Sequence, residues 1–249
     1  MIHKLLLTFL LAWLAPIHAL AAQRVPVGGY LFPPFVEGKS GVTFDLLQAM
    51  NRVQDKYVFE FVETSANRRY QHLEEGKFQL MLFESAEWGW DPKLVEASNV
   101  FLTGDGDIFV ARSAPGRDET YFDSLRNKRI AGTLGYHYAF ANFQTDPEVL
   151  KKDFDITLVA DARQVVRLVA QGVTEVGVVT KSYLQSYLKA NPQNAASFLV
   201  SKRMDQAYQH TILVKRGTNP SAREINQILK KLGTSGALQK IWAKNGIEK

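Results

Sequence analysis

Two α/β units, each a mostly parallel sheet flanked by helices, are the fold the sequence predicts. Three observations predict it. Strand-like and helix-like patterns alternate from Arg24 to Phe83. The alternation breaks at Ser113–Arg117 (SAPGR) and restarts at Arg129, and a strand pattern at Gln209–Lys215 leads back to the first unit. No internal repeat or low-complexity tract interrupts the chain.

In order, Met1–Ala22 carries Lys4, an apolar run from Leu5 to Leu14 and small residues at Ala19, Ala21 and Ala22. A run of about ten apolar residues is too short for a bilayer that needs about 20, so it reads as a cleaved secretory leader. Arg24–Gly29 is a short strand, followed by a turn-rich Gly28–Phe35 segment. Phe44, Leu46, Leu47 and Met50 recur at helical spacing. Tyr57–Val62 is the second strand, Ser65–Glu75 a helix stopped by Gly76, and Phe78–Phe83 a strand apolar enough to be buried on both faces. Phe101–Val110 is a further apolar run.

After the break, strands are expected at Arg129–Leu134, Asp155–Val159, Glu175–Val179 and Phe198–Ser201. Helices are expected at Gly135–Phe143, after the capping pair Asp161/Gln164, and at Lys181–Ala190, ended by Asn191–Pro192. Pro220–Ser221 with Glu224 opens a helix bearing Ile225, Ile228, Leu229 and Leu232, and a last helix carries Leu238, Ile241 and Trp242. The expected lobes are residues 23–110 with 208–249, and residues 111–207.

The net charge is +5 and becomes +4 once Lys4 leaves with the leader. The surplus lies in scattered pairs such as Arg68–Arg69 and Lys151–Lys152, not on one face with stacking aromatics, so no nucleic-acid partner is expected. The chain has no cysteine, which excludes disulfides and a lipoprotein-type anchor. A monomeric periplasmic protein is the simplest reading.

The strand Phe78–Phe83 stops at Glu84, and ligands of open α/β sheets collect beyond such carboxyl ends. Glu84, Ser85, Trp88 and Trp90 are therefore candidate cleft residues. Tyr136 and His137 follow the first strand of the second unit, where a helix N-terminus could also offer amides to an anion. Gly104–Asp107 looks superficially like a calcium loop but lacks its further ligands. Three histidines lie beyond the leader, without a His-Glu-x-x-His pattern, and there is neither a nucleophile elbow nor a P-loop. No catalytic residue, metal or cofactor is expected.

Several phrases carry a family resemblance. Tyr30–Phe35 (YLFPPF) resembles an aromatic-x-Pro-Phe turn, Gly41–Leu47 (GVTFDLL) a Gly-Phe-Asp-x-Asp-Leu helix start, Leu73–Leu80 (LEEGKFQL) a Leu-x-x-Gly-x-hydrophobic-Asp run, and Asp123–Gly132 the Leu-x-Gly-Lys-x-Val-Gly opening of a second lobe. Together they resemble the periplasmic solute-binding proteins of polar amino acid ABC importers. The resemblance implies a two-lobed clamp that closes on a small polar solute and delivers it to a permease. The same scaffold also serves membrane sensors and, in the enzyme alternative, periplasmic dehydratases, for which Glu84 and His137 would be the acid-base pair.

Carried over residue by residue, the ligand-stacking ring falls on Phe32, with Tyr30 beside it. The loop after the third strand places Phe83, Glu84 and Ser85 at the site. The arginine for an α-carboxylate is missing from Glu87–Asp91, and the carboxylate for an α-ammonium is replaced by Thr180. Arg69, at the start of the preceding helix, is the candidate substitute. The expected ligand-binding set is thus Tyr30, Phe32, Arg69, Glu84, Ser85, Trp88, Trp90, Tyr136, His137 and Thr180.

Overall fold

The computed structural model describes residues 21–247. The leader assigned to Met1–Ala22 lies outside the described residues except for its last two positions. No helix among the described residues is long and apolar enough to cross a membrane.

In chain order, β1 (Gln23–Gly29), α1 (Val42–Arg52), β2 (Tyr57–Glu63), α2 (Arg69–Glu74) and β3 (Leu80–Glu84) form the expected βαβαβ run. Next come β4 (Val95–Ala97), β5 (Gly106–Arg112), β6 (Ile130–Thr133), α3 (Pro147–Asp153), β7 (Ile156–Val159), α4 (Ala162–Ala170), β8 (Val176–Thr180), α5 (Lys181–Ala190) and β9 (Phe198–Ala207). The chain closes with β10 (Thr211–Lys215), α6 (Ala222–Thr234) and α7 (Ala237–Lys244).

Two five-stranded sheets result, ordered β2-β1-β3-β10-β4 and β7-β6-β8-β5-β9. In the first, β1 runs parallel to β2 and β3, while β10 runs antiparallel to β3 and β4. In the second, β6 runs parallel to β7 and β8, while β5 runs antiparallel to β8 and β9. Each sheet is therefore mixed, because the two strands that carry the chain between lobes return against the parallel ones. The α/β two-lobed class stands.

Local chemistry fixes the helices. Val42, Leu46, Leu47 and Met50 of α1 are buried against the first sheet. Its start needs glycine: Gly41 has φ +112, and a Cβ there would lie 2.6 Å from the Phe35 carbonyl oxygen. Both expected caps are present. The Asp161 carboxylate accepts from the Gln164 amide at 2.9 Å, and Ser221 with Glu224 forms a reciprocal capping box.

Three expectations shift. β5 lies wholly in the second sheet, so the first crossing precedes Gly106, ahead of residue 110. Ser113–Arg117 is then a loop inside the second lobe and not the hinge. The second crossing runs between Ala207 and Thr211. The helix expected over Gly135–Phe143 shrinks to a single 3-10 turn at Ala139–Ala141. Tyr138 is pulled under β6, where its hydroxyl accepts from the Thr133 amide at 2.6 Å, and Asn142 and Phe143 take left-handed φ angles of 51° and 60° that end the turn.

Candidate functional site

The end of β3 sets up the site. Every residue of Leu80–Glu84 is buried, and Phe83 adopts φ +58, a conformation rare for a bulky side chain. Two contacts from the returning chain hold this turn. His210 Nδ1 lies 3.1 Å from the Phe83 carbonyl oxygen, and Thr211 Oγ1 donates to the Glu84 carbonyl at 2.9 Å. The Glu84 side chain is thereby fixed beneath the interlobe space with no exposure.

Glu84 meets Arg69, the first residue of α2, whose side chain is 1% exposed. Arg69 Nε stands 3.4 Å from Glu84 Oε1, while Glu84 Oε2 accepts from Trp90 Nε1 at 2.9 Å. Neither Arg69 Nε nor Glu84 Oε1 has a well-aligned hydrogen bond, so the pair is held by charge more than by direction. Burial pushes Glu84 above the ordinary carboxylate range, with the Arg69 guanidinium pulling hardest the other way.

The same guanidinium reaches across to the second lobe. Nη1 donates to the Ala66 carbonyl and, at 3.2 Å, to the Gly135 carbonyl, and Nη2 lies 3.4 Å from His137 Nδ1. The rings of Tyr70, Tyr30 and Trp90 face its charge at 4.5, 5.2 and 5.9 Å. Burial, then the Arg69 charge, lowers the His137 pKa to about 4, so its imidazole is neutral near pH 7. Arg69 donates to Nδ1, which assigns the ring proton to Nε2, 3.4 Å from the Tyr70 hydroxyl. That hydroxyl donates onward to the Trp88 carbonyl at 2.6 Å.

Around this chain lies a cavity lined by Tyr30, Phe32, Arg69, Trp88, Tyr136, His137, Gln206 and Tyr208. Its rings are ordered against one another: Tyr30 stacks on Phe32 at 5.9 Å, Tyr136 meets Phe32 edge-on at 5.8 Å, and Trp88 meets Tyr208 edge-on at 5.0 Å. Gln206 ties the lobes together, accepting from Trp88 Nε1 at 3.1 Å while its Nε2 donates to Asp107 Oδ2 at 2.8 Å and to the His137 carbonyl. Only about 10 Å³ is open to water, so the side chains nearly fill the space. A larger open groove, about 1130 Å³, lies along Phe122–Asn127 and Lys151–Asp155 and belongs to the second lobe alone.

Six of the ten expected residues therefore come together on the cavity wall: Tyr30, Phe32, Arg69, Trp88, Tyr136 and His137. Glu84 and Trp90 stand behind Arg69. Ser85 and Thr180 are not on the wall; the Ser85 hydroxyl accepts the Glu87 amide at 3.3 Å, and Thr180 is buried at the end of β8. The expected helix amides are also unavailable to a solute, because the Ala139 and Phe140 amides bind the Asp205 carboxylate at 2.7 and 2.9 Å. Gln206, Tyr208 and Tyr70 were not anticipated. The aromatic and polar run Gln206–His210, ahead of a returning strand, is the signal that marks the first two.

Asp107, part of the supposed calcium-like loop, is instead a fully buried strand residue. Burial pushes its carboxyl up to about 7, against the side chains of Tyr208 and Gln206, while Asp205 and Asp105 push in the same direction as burial.

Two lobes that meet over a charged and aromatic cavity, joined by two crossings, define a two-lobed binding protein. The chain belongs to the family of ABC transporter periplasmic substrate-binding proteins whose model is described for phosphonate; that model matches residues 108–249, more than half of the chain. Solved structures agree in fold. The GluR0 ligand-binding core from Nostoc punctiforme with L-glutamate is 18% identical, with a TM-score of 0.71 over 90% of this chain and 100% of that one. An ancestral arginine-binding protein bound to arginine is 19% identical, with a TM-score of 0.70 over 90% and 98%. A histidine kinase sensor domain similar to periplasmic binding proteins is 18% identical, with a TM-score of 0.70 over 90% and 96%. A comparison with curated protein sequences gives no match.

Two outcomes follow from the buried charges. Glu84→Gln leaves Arg69 without its counter-charge and is expected to cost about 3–5 kcal/mol in urea unfolding, most of it recovered by adding Arg69→Met; no cost would contradict the pair. The folded Asp107 carboxyl holds its proton up to about 7 against an ordinary 3.8, so the stability it contributes is full below about 3.8 and lost as pH rises through about 7. Asp107→Asn should thus leave stability nearly unchanged at pH 4 and raise it at pH 8, by at most roughly 4 kcal/mol. A gain independent of pH would contradict this.

Proposed function

We propose that this protein is exported to the periplasm and captures a small solute bearing an acid group, carboxylate or phosphonate, between its lobes for an ABC permease. One observation carries the reading. Arg69 is buried in the cavity wall with a guanidinium shared between Glu84 of its own lobe and the Gly135 carbonyl and His137 ring of the other. When the lobes part, those second-lobe contacts break and the guanidinium faces the opening. An acid group can then take the donors that Gly135 and His137 held, through charge-assisted hydrogen bonds each worth about 1.5–3 kcal/mol. Neutral His137 can accept or donate to the same solute, and Tyr30, Phe32, Trp88 and Tyr136 supply flat apolar faces around it.

The ligands bound in two solved structures of similar fold, glutamate and arginine, each contain a carboxylate, which supports the reading. The family description adds phosphonate as the alternative acid group. The secretory leader pattern supports export. A sensing role uses the same closure, and the histidine kinase sensor domain of similar fold keeps it as the second reading. Acid-base chemistry by Glu84 and His137 fits less well, since Glu84 does not line the cavity and is committed to Arg69 and Trp90.

A thermal-shift screen against amino acids, organic acids, phosphonates, polyamines and sugars identifies the solute, because a ligand of the native state raises its melting temperature. The expected hits carry an acid group; stabilisation by sugars or polyamines alone would contradict the assignment. Titration of a hit should change tryptophan emission in the wild type. In the Glu84→Gln background, Arg69→Met should weaken it by more than tenfold, about 1.4 kcal/mol. Equal affinity with and without Arg69 would refute its role.

A further inference from the structure

A carboxyl group is buried beside the two crossings without a cation to match it. Asp107 is the second residue of β5, just past the first crossing, and its register partner Gln206 lies just ahead of the second. It is 0% exposed, and no ion pair among the described residues includes it. A carboxyl in such a place is driven to its neutral form, because an ionised one needs a counter-charge or water.

The groups around it act the same way. Gln206 Nε2 donates to Asp107 Oδ2 at 2.8 Å, and the Tyr208 hydroxyl bonds the same carboxyl group. The charges that act on it, Asp205 and Asp105, are of its own sign. The cations nearby are engaged elsewhere: Lys181 with the Gly104 carbonyl and Asp105, Arg203 with the Phe122 carbonyl and Asp205, and Arg69 with Glu84. From the segment after β6, the Tyr136 and Tyr138 hydroxyls feel its charge, and the His137 ring is neutral near pH 7. Its other register partner, Thr180 of β8, is uncharged. The closed molecule thus holds this carboxyl protonated up to about 7. Neutral, it keeps both partners, since one oxygen still accepts from Gln206 and the Tyr208 hydroxyl accepts a proton as readily as it donates one.

What covers Asp107 depends on the first lobe. Gln206 and Tyr208 both stand on the cavity wall, with Asp107 behind them. Trp88 of the first lobe holds Gln206 through its Nε1 at 3.1 Å, and the Tyr208 ring meets Trp88 at 5.0 Å and Phe32 at 6.3 Å. When the lobes part, these first-lobe contacts are lost and water reaches the carboxyl past the loosened pair. Hydration favours the ionised form, so the open molecule holds the proton less tightly than the closed one.

We propose that Asp107 couples closure to proton uptake, so that the lobes shut over a solute with one proton drawn onto this carboxyl and give it back when they part. The inference rests on the reading of the cavity as the solute site and adds to it a regulation by pH. A proton held more tightly in the closed form favours closure at any pH below about 7, and that favour is lost as pH rises through about 7. Capture is therefore tighter in mild acid than in mild base, by up to about tenfold between pH 6 and pH 8.

L-glutamate, L-arginine and L-lactate serve as probes, because their carboxylates stay ionised between pH 6 and pH 8. Each is titrated calorimetrically into the wild-type protein and into Asp107→Asn at pH 6, 7 and 8, in buffers of different ionisation enthalpy, which counts the protons taken up. The wild type is expected to take up most of a proton at pH 6 and about half of one at pH 7, with affinity falling towards pH 8. Asp107→Asn should show neither the uptake nor the fall. The count is read on the wild type, so it stands even where the variant folds poorly. Binding without proton uptake, or with the same uptake in Asp107→Asn, overturns this proposal and leaves the acid-group assignment standing. Absence of binding by all three probes counts against the acid-group assignment, and the solute-free protein then decides the proposal through its small-angle scattering radius. A contraction from pH 8 to pH 6 in the wild type, absent in Asp107→Asn, supports it; a radius unchanged by pH overturns it.

Discussion

A guanidinium with almost no access to water is the constraint around which the rest of this molecule is arranged. Arg69 carries a full charge, and burying it without compensation would cost several kcal/mol. The chain compensates in three ways: Glu84 as counter-charge, carbonyl oxygens of Ala66 and Gly135 as acceptors, and three aromatic faces. Gly135, Tyr136 and His137 come from the other lobe. Most of the compensation for the charge thus comes from its own lobe, and the second lobe completes it.

That arrangement depends on how the fold delivers Glu84. A bulky residue in a left-handed backbone conformation, Phe83, turns the end of β3, and the chain that returns from the second lobe holds it there through His210 and Thr211. Burial lowers the pKa of His210 to about 3, so this support does not change with pH in the neutral range. The crossing thus does two jobs, carrying the chain between lobes and bracing the residue that balances Arg69. Glycine matters at one further point: Gly135 has φ +80, and a Cβ there would lie 2.1 Å from Asn67 Oδ1, so the lobes approach closely only because that side chain is absent.

Much of this was legible in the chain. The apolar run into Glu84, the two capping pairs and the alternation of strand and helix patterns are local signals, and local signals survive in the structure. Arg69 was readable for a different reason: the usual arginine position held none, and a basic residue stood at the start of the preceding helix. What could not be read depends on contacts distant in sequence. Gly104–Asp107 looks like a polar loop, but Gly106 and Asp107 become buried strand because β9 and β8 flank β5 on both sides. The helix expected after Leu134 stops after one turn because Asn142 and Phe143 take left-handed φ angles, and the carboxylate on its first amides, Asp205, comes from over 60 residues away. Gln206 and Tyr208 reach the cavity by the same long-range pairing, which leaves no periodic trace.

The central claim is that the buried Arg69 is where the solute docks, at the seam between the lobes. The most direct measurement is a crystal structure of the protein grown with the solute that most raises its melting temperature. The account predicts density for its acid group on the Arg69 guanidinium, enclosed by Tyr30, Phe32 and Tyr136, with the direct contact from Arg69 to the Gly135 carbonyl replaced. A solute bound elsewhere, with Arg69 still joined to Gly135 and His137, would contradict it.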